Sequence, residues 1–141
     1  MSWHKTAIVV LLRLTGLLLI LAVGAVVMPF GWMAAACQWL GLGELPNSPT
    51  IGYLSRSLSA LYAVYGVLML HVSLDVQRYL PLIRCLAMLG VAFGAGMIVL
   101  DFMVGLPWWW ALSEGPPIIA LSVALLWLAA QADLEAGQNE S

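Results

Sequence analysis

Three side chains have the types and spacing to do chemistry together: Asp101, Glu114 and Arg56. Two carboxyl groups in unlike surroundings can divide acid and base work, and a guanidinium beside them can hold an anion or balance their charge. Glu114 lies within "GLPWWWALSEGPP", residues 105–117, where three consecutive tryptophans sit between prolines. Asp101 lies about one helical turn before Gly105, and Glu114 about two turns after Pro107. A turn at "GLP" therefore brings both acids to one depth. Arg56 reaches that depth if its own helix enters from the same side. Ser59, Tyr62 and Ser113 join the three in a candidate outer polar site. Ser55, Ser59, Tyr62 and Tyr65 follow a helical spacing that reads either as a polar groove or as hydrogen-bonding between helices.

A second layer is drawn by Arg13, His71 and Asp75. Arg13 lies eight residues past Lys5, about 12 Å along a helix. His71 precedes Arg78 by seven residues, and Asp75 follows His71 by four, which puts both on one face if the helix continues through them. This inner polar layer is expected to be structural. His4 and His71 stand apart in the sequence, and the methionines form no thioether pattern, so the sequence contains no metal or cofactor set. Cys37 and Cys85 are too far apart in the chain for a CxxC redox centre.

The elements that position these groups follow from composition. The chain has 141 residues, of which 63% are hydrophobic and 9% charged, with a mean hydropathy of +1.00. That lies outside the range of soluble domains. A membrane-crossing helix needs about 20 apolar residues, and four stretches supply them: 7–29, 50–79, 82–104 and 108–131. Lipid offers the backbone no hydrogen-bonding partner, and stretches rich in Leu and Ala without period-two alternation make helices rather than barrel strands. The fold class expected is all-α, an integral membrane four-helix bundle forming a single domain over residues 1–132. A short acidic tail, 133–141, carries Asp133, Glu135 and Glu140. The first stretch is longer than a signal-peptide core and is read as a retained helix.

The first outer loop should carry a short interfacial helix, because Trp32 and Trp39 are seven apart and share a helical face. With Trp108, Trp109 and Trp110 they make five interface anchors, indole having an apolar body and one polar edge. Ser48-Pro49 reads as a helix cap followed by proline at the first helical position. Glu114-Gly115-Pro116-Pro117 reads as a helix break, because each proline withdraws a backbone donor. "GVAFG", with Gly90 and Gly94, is a small-xxx-small pattern suited to close packing of helices within the bundle.

Lys5, Arg78 and Arg84 fall on one side of this plan, while residues 31–55 contain no Lys or Arg. The positive-inside rule then places both termini in the cytoplasm. A net charge of −2 without a basic cluster excludes nucleic acid as an expected partner. The expected partners are membrane lipids, together with another membrane protein or a second copy of the chain.

At "MPFGWMAAACQWLGLGELP", "YLSRSLSALYAVYG", "DVQRYLPLIR" and "GLPWWWALSEGP" the chain resembles a family of small four-helix bacterial membrane proteins. Its plan of four compact spans with an arginine in the first is loosely similar to DoxX-like proteins. The resemblance implies a bacterial inner membrane and, for DoxX-like proteins, links to redox or membrane-stress roles. The absence of a close cysteine pair is a departure from a redox role. The function expected is that of an accessory or structural membrane component rather than an enzyme. The alternative is a binder or enzyme for a lipid, quinone or isoprenoid using the outer polar site.

Orientation is checked by thiol labelling in intact cells. An impermeant maleimide applied from outside is expected to modify Cys37 and to spare Cys85. The reverse pattern would invert the topology.

Overall fold

The computed structural model of the chain describes residues 3–138. It is all-α, with six helical segments in these residues: α1 (Trp3–Ile20), α2 (Val23–Val27), α3 (Phe30–Trp39), α4 (Pro49–Val72), α5 (Val76–Val104) and α6 (Trp108–Gln138). Four stretches are long and apolar enough to cross a membrane: Trp3–Val27, Pro49–Val72, Val76–Val104 and Trp108–Leu134. The chain is a membrane protein by this measure, and the short helix expected in the first loop is α3.

The boundaries differ from expectation for local reasons. The first span is α1 followed by α2. At the junction, backbone bonding tightens from four residues to three, as Ala22 N–H bonds the Leu19 carbonyl and Gly24 N–H the Leu21 carbonyl. The second span ends at Val72 rather than at 79, because Asp75 caps a new helix, its carboxylate accepting from the Arg78 N–H at 3.2 Å. Pro81 then lies inside α5 instead of before it. The expected break at Glu114–Pro117 is also absent, for α6 runs through Pro116 and Pro117. Proline's fixed φ is helical, so the pair costs backbone donors without forcing the chain to turn. At the far end, helix continues past 133, so Asp133 is a helical residue and not part of a loose tail. Glu140 lies outside the described residues.

Pro49 begins α4 as the sequence suggests, the Ser48 carbonyl accepting the Gly52 N–H at 3.0 Å. Gly105 ends α5 with φ +80, a left-handed conformation that glycine adopts without penalty. There the Leu106 N–H bonds the Asp101 carbonyl at 3.0 Å, closing a Schellman-type turn. Pro107 supplies the first acceptor of α6, taken by the Trp110 N–H at 2.9 Å.

Contacts group the chain into two compact units. One contains the residues up to Leu12 together with those from Val72 onward, and so the start of α1 with α5 and α6. The other is Arg13–His71.

In the first unit, α5 and α6 pack antiparallel along a seam of small residues. A Cβ on Gly94 would stand 2.7 Å from Ile119 Cγ1 and 3.0 Å from the Gly115 carbonyl. A Cβ on Gly115 would stand 2.8 Å from the Gly94 carbonyl and would collide with Ile98. A Cβ on Gly90 would collide with Ser122. The "GVAFG" pattern therefore serves packing inside the unit. Ala87, Ala111, Ala129 and Ala132 are buried with it. In the second unit Gly16 and Gly66 form a similar crossing, since a Cβ on Gly16 would lie 2.8 Å from the Gly66 carbonyl.

These contacts separate glycines of the same helix. Gly94→Ala and Gly115→Ala are expected to destabilise the protein by about 1–3 kcal/mol, the cost of overpacking a closed seam. Gly96, which has open space around its missing Cβ, should behave oppositely. Gly96→Ala is expected to be neutral or to stabilise by up to about 1 kcal/mol through helix propensity. Unfolding of the purified variants in detergent measures the contrast.

Candidate functional site

The seam fixes where the acids lie. Gly90 meets Ser122, Gly94 meets Ile118 and Ile119, and Ile98 meets Gly115. Each further turn along α5 moves the facing residue back by about one turn of α6. Asp101 is seven residues beyond Gly94, on the same face, and so continues the seam towards Ala111 and Glu114. Its burial agrees, as only 2% of its surface is exposed. The two carboxyl groups are within electrostatic reach of each other.

Glu114 is half-buried, and its Oε2 accepts the Trp110 indole N–H at 2.9 Å. The two residues are one turn apart on α6, so the helix itself sets the distance. Asp101 is bound through its main chain, which closes the α5 terminus. Its side chain is less well served, because Oδ2 is buried without a hydrogen-bond partner among the described residues. A buried unpaired carboxylate oxygen is costly, above all in surroundings that exclude water.

Asp101, Glu114 and Trp110 are thus gathered at the α5–α6 turn. Ser113 is not turned toward them. It is exposed and donates to the Trp110 carbonyl at 2.8 Å. Arg56 belongs to the other unit, where it is exposed and its Nη2 approaches the Met28 carbonyl at 3.4 Å. The serine stripe of α4 bonds to its own helix. Ser55 donates to the Ile51 carbonyl at 2.9 Å, and Ser59 to the Ser55 carbonyl at 2.8 Å. Such back-bonding satisfies a hydroxyl inside a helix without a second helix. Tyr62 is half-buried and engaged with a neighbour.

Arg13, His71 and Asp75 are all exposed. His71 and Asp75 do not share a helical face, because α4 ends at Val72 and Asp75 opens α5. Arg13 and His71 each retain a partner, and Asp75 serves as a helix cap.

Four of the five anchors are exposed as an interfacial role requires: Trp32, Trp39, Trp108 and Trp109. Trp110 departs from them. It is half-buried, binds Glu114, and meets Trp109 edge to face at 5.9 Å between centroids.

Two features escaped sequence reasoning. Arg84, expected only as a flanking charge, bonds the Ala129 carbonyl at 3.0 Å and pairs with Asp133, clasping α5 to α6 at the end remote from Asp101. Trp3, His4 and Trp127 form an aromatic cluster, with the Trp3 and His4 rings 4.1 Å apart and Trp3 6.3 Å from Trp127. Neither was marked by spacing along the chain. The Trp110–Glu114 contact, in contrast, was legible as a four-residue helical interval. Both cysteines are free thiols. No group of three or more His, Cys, Asp or Glu able to hold a metal ion occurs among the described residues.

Comparison with protein-family models, with curated proteins and with solved structures returned no match.

The Trp110–Glu114 bond is measurable by a double-mutant cycle. Trp110→Phe is expected to cost about 1 kcal/mol from the hydrogen bond, with a further packing loss. In the Glu114→Gln background the hydrogen-bond part should shrink, leaving a non-zero coupling between the two sites. Strictly additive losses would show that the indole does not support the carboxylate.

Proposed function

We propose that this chain is an accessory or structural component of the bacterial inner membrane, acting through its lateral faces and without catalytic activity of its own. One observation carries the reading. In three of the four spans only 17% of the apolar window is buried within the chain, and in the fourth 28%. Large side chains such as Leu61, Val64, Phe93 and Val99 are exposed along the spans. Lipid covers such faces readily, and so does another membrane helix, whose packing there is limited by shape rather than by hydrophobicity.

The bacterial inner membrane enters from the resemblance to small four-helix bacterial proteins, loosely DoxX-like. The cytoplasmic placement of both termini is supported by charge. Within the first unit, Lys5, Arg78 and Arg84 all belong to the end of the helices opposite Asp101, the distribution expected of an inward-facing side.

A second reading is favoured by one specific observation, the unpartnered Oδ2 of Asp101. It makes the α5–α6 turn a binding site for a lipid, quinone or isoprenoid at the outer surface, with Asp101 and Glu114 as its polar groups.

Site-specific photocross-linking distinguishes a protein-facing role from a solely lipid-facing one. A benzophenone side chain placed at Leu61 or Phe93 is expected to give a discrete adduct with one membrane protein or with a second copy of the chain. Only lipid adducts at both positions would count against the accessory role.

A further inference from the structure

The first unit places two acids, and no Lys or Arg of its own, at the α5–α6 turn. Asp101 is buried there, and Glu114 on α6 lies within its electrostatic reach. The Lys and Arg residues of that unit are at the other end, where Arg84 is already paired with Asp133. Asp101 Oδ2 is buried without a hydrogen-bond partner among the described residues. Glu114 Oε2 is taken by Trp110, which leaves the rest of that carboxylate to meet a ligand. The site therefore calls for a donor with positive charge.

The surroundings select the kind of cation. Two carboxylates are too few for a calcium cage of 6–8 oxygens, and magnesium keeps a hydration shell that indole rings serve poorly. An organic ammonium suits both parts of the site. Its charge is attracted to the faces of tryptophan rings, and Trp110, which meets Trp109 edge to face, is bonded to Glu114. A primary ammonium also carries three N–H donors, enough to reach both carboxylates, whereas a quaternary ammonium carries none. The position fits a headgroup, since the acids lie within about two turns of the Gly105–Pro107 connection and beside interfacial tryptophans.

We propose that Asp101 and Glu114, the latter held by the Trp110 indole, form a binding site for a primary alkylammonium group. This deepens the second reading above and rests on it. The ammonium is either that of a phosphatidylethanolamine headgroup or that of a free amine. Asp101 receives one N–H at its buried oxygen. Glu114, the more exposed of the two acids, meets the ligand first and is held in place by the Trp110 indole.

The test is native mass spectrometry of the full chain in mild detergent, with phosphatidylethanolamine, phosphatidylcholine or phosphatidylglycerol added singly. Wild type is expected to retain phosphatidylethanolamine about tenfold better than the other two, the scale of one charge-assisted hydrogen bond. Asp101→Asn and Glu114→Gln are each expected to remove that preference. Displacement of the lipid by ethanolamine would identify the ammonium alone as sufficient, and selective retention without displacement would identify the lipid as the ligand. Selective ethanolamine binding lost in both variants, without lipid selectivity, would assign the site to a free amine. Thermal melts confirm folding of each variant. Should Asp101→Asn not fold, Glu114→Gln and Trp110→Phe carry the comparison.

The proposal is overturned by absence of selectivity for both phosphatidylethanolamine and ethanolamine. It is equally overturned by selectivity that survives the substitutions. Retention of every lipid alike but still dependent on Glu114 would reject the ammonium and keep the lipid-binding reading. Retention that is indifferent to Glu114 as well would reject both.

Discussion

The close approach of α5 and α6 at Gly94 and Gly115 is the contact on which the first unit depends. Each glycine sits against the backbone carbonyl of the other, and a Cβ at either would fall within 3.0 Å of it. In lipid this geometry matters more than apolar surface, because hydrocarbon solvates a leucine face as well as another helix does. What remains to hold two helices together is dispersion at short range and the fit of one ridge to one groove. Small residues permit both. They also fix register, since sliding the pair by one turn would bring Ile98 or Ile118 where only glycine fits.

That register has chemical consequences at both ends of the pair. At one end it carries Asp101 into the seam, where a carboxyl side chain is buried and one oxygen lacks a partner. At the other it sets Arg84 beside the Ala129 carbonyl and Asp133. The two ends are unlike in electrostatic terms. The Arg84 end is balanced and partly exposed, so its ion pair is a clasp of modest strength. The Asp101 end has two acids, an indole donor and no cation from its own unit. A buried carboxyl oxygen without a partner is expensive where water is excluded.

The unit Arg13–His71 uses the same device differently. Gly16 and Gly66 bring their helices close, while Ser55 and Ser59 of α4 bond back to their own backbone. Helices treated in this way are complete within themselves and present an apolar exterior. That exterior, like the faces of α5 and α6, is the surface on which the proposed accessory role rests.

Sequence alone determined the all-α membrane class, the four spans and the short helix after the first, because lipid permits few backbone solutions and an apolar run of fixed length admits one. It also determined the "GLP" turn and the proline start of α4, each a consequence of local stereochemistry. Helix ends at Val72 and through Pro116-Pro117 were decided otherwise, since a capping aspartate competes with helix continuation and a proline pair can be carried by a helix. Which polar groups meet was decided by tertiary structure. Depth along a span can be counted from residues, but rotation about the helix axis and the crossing partner cannot. Thus Asp101 and Glu114 were legible as neighbours across a short turn. The exposure of Arg13, His71 and Asp75, the inward rotation of Trp110 and the union of Arg84 with Asp133 depend on how the helices pack.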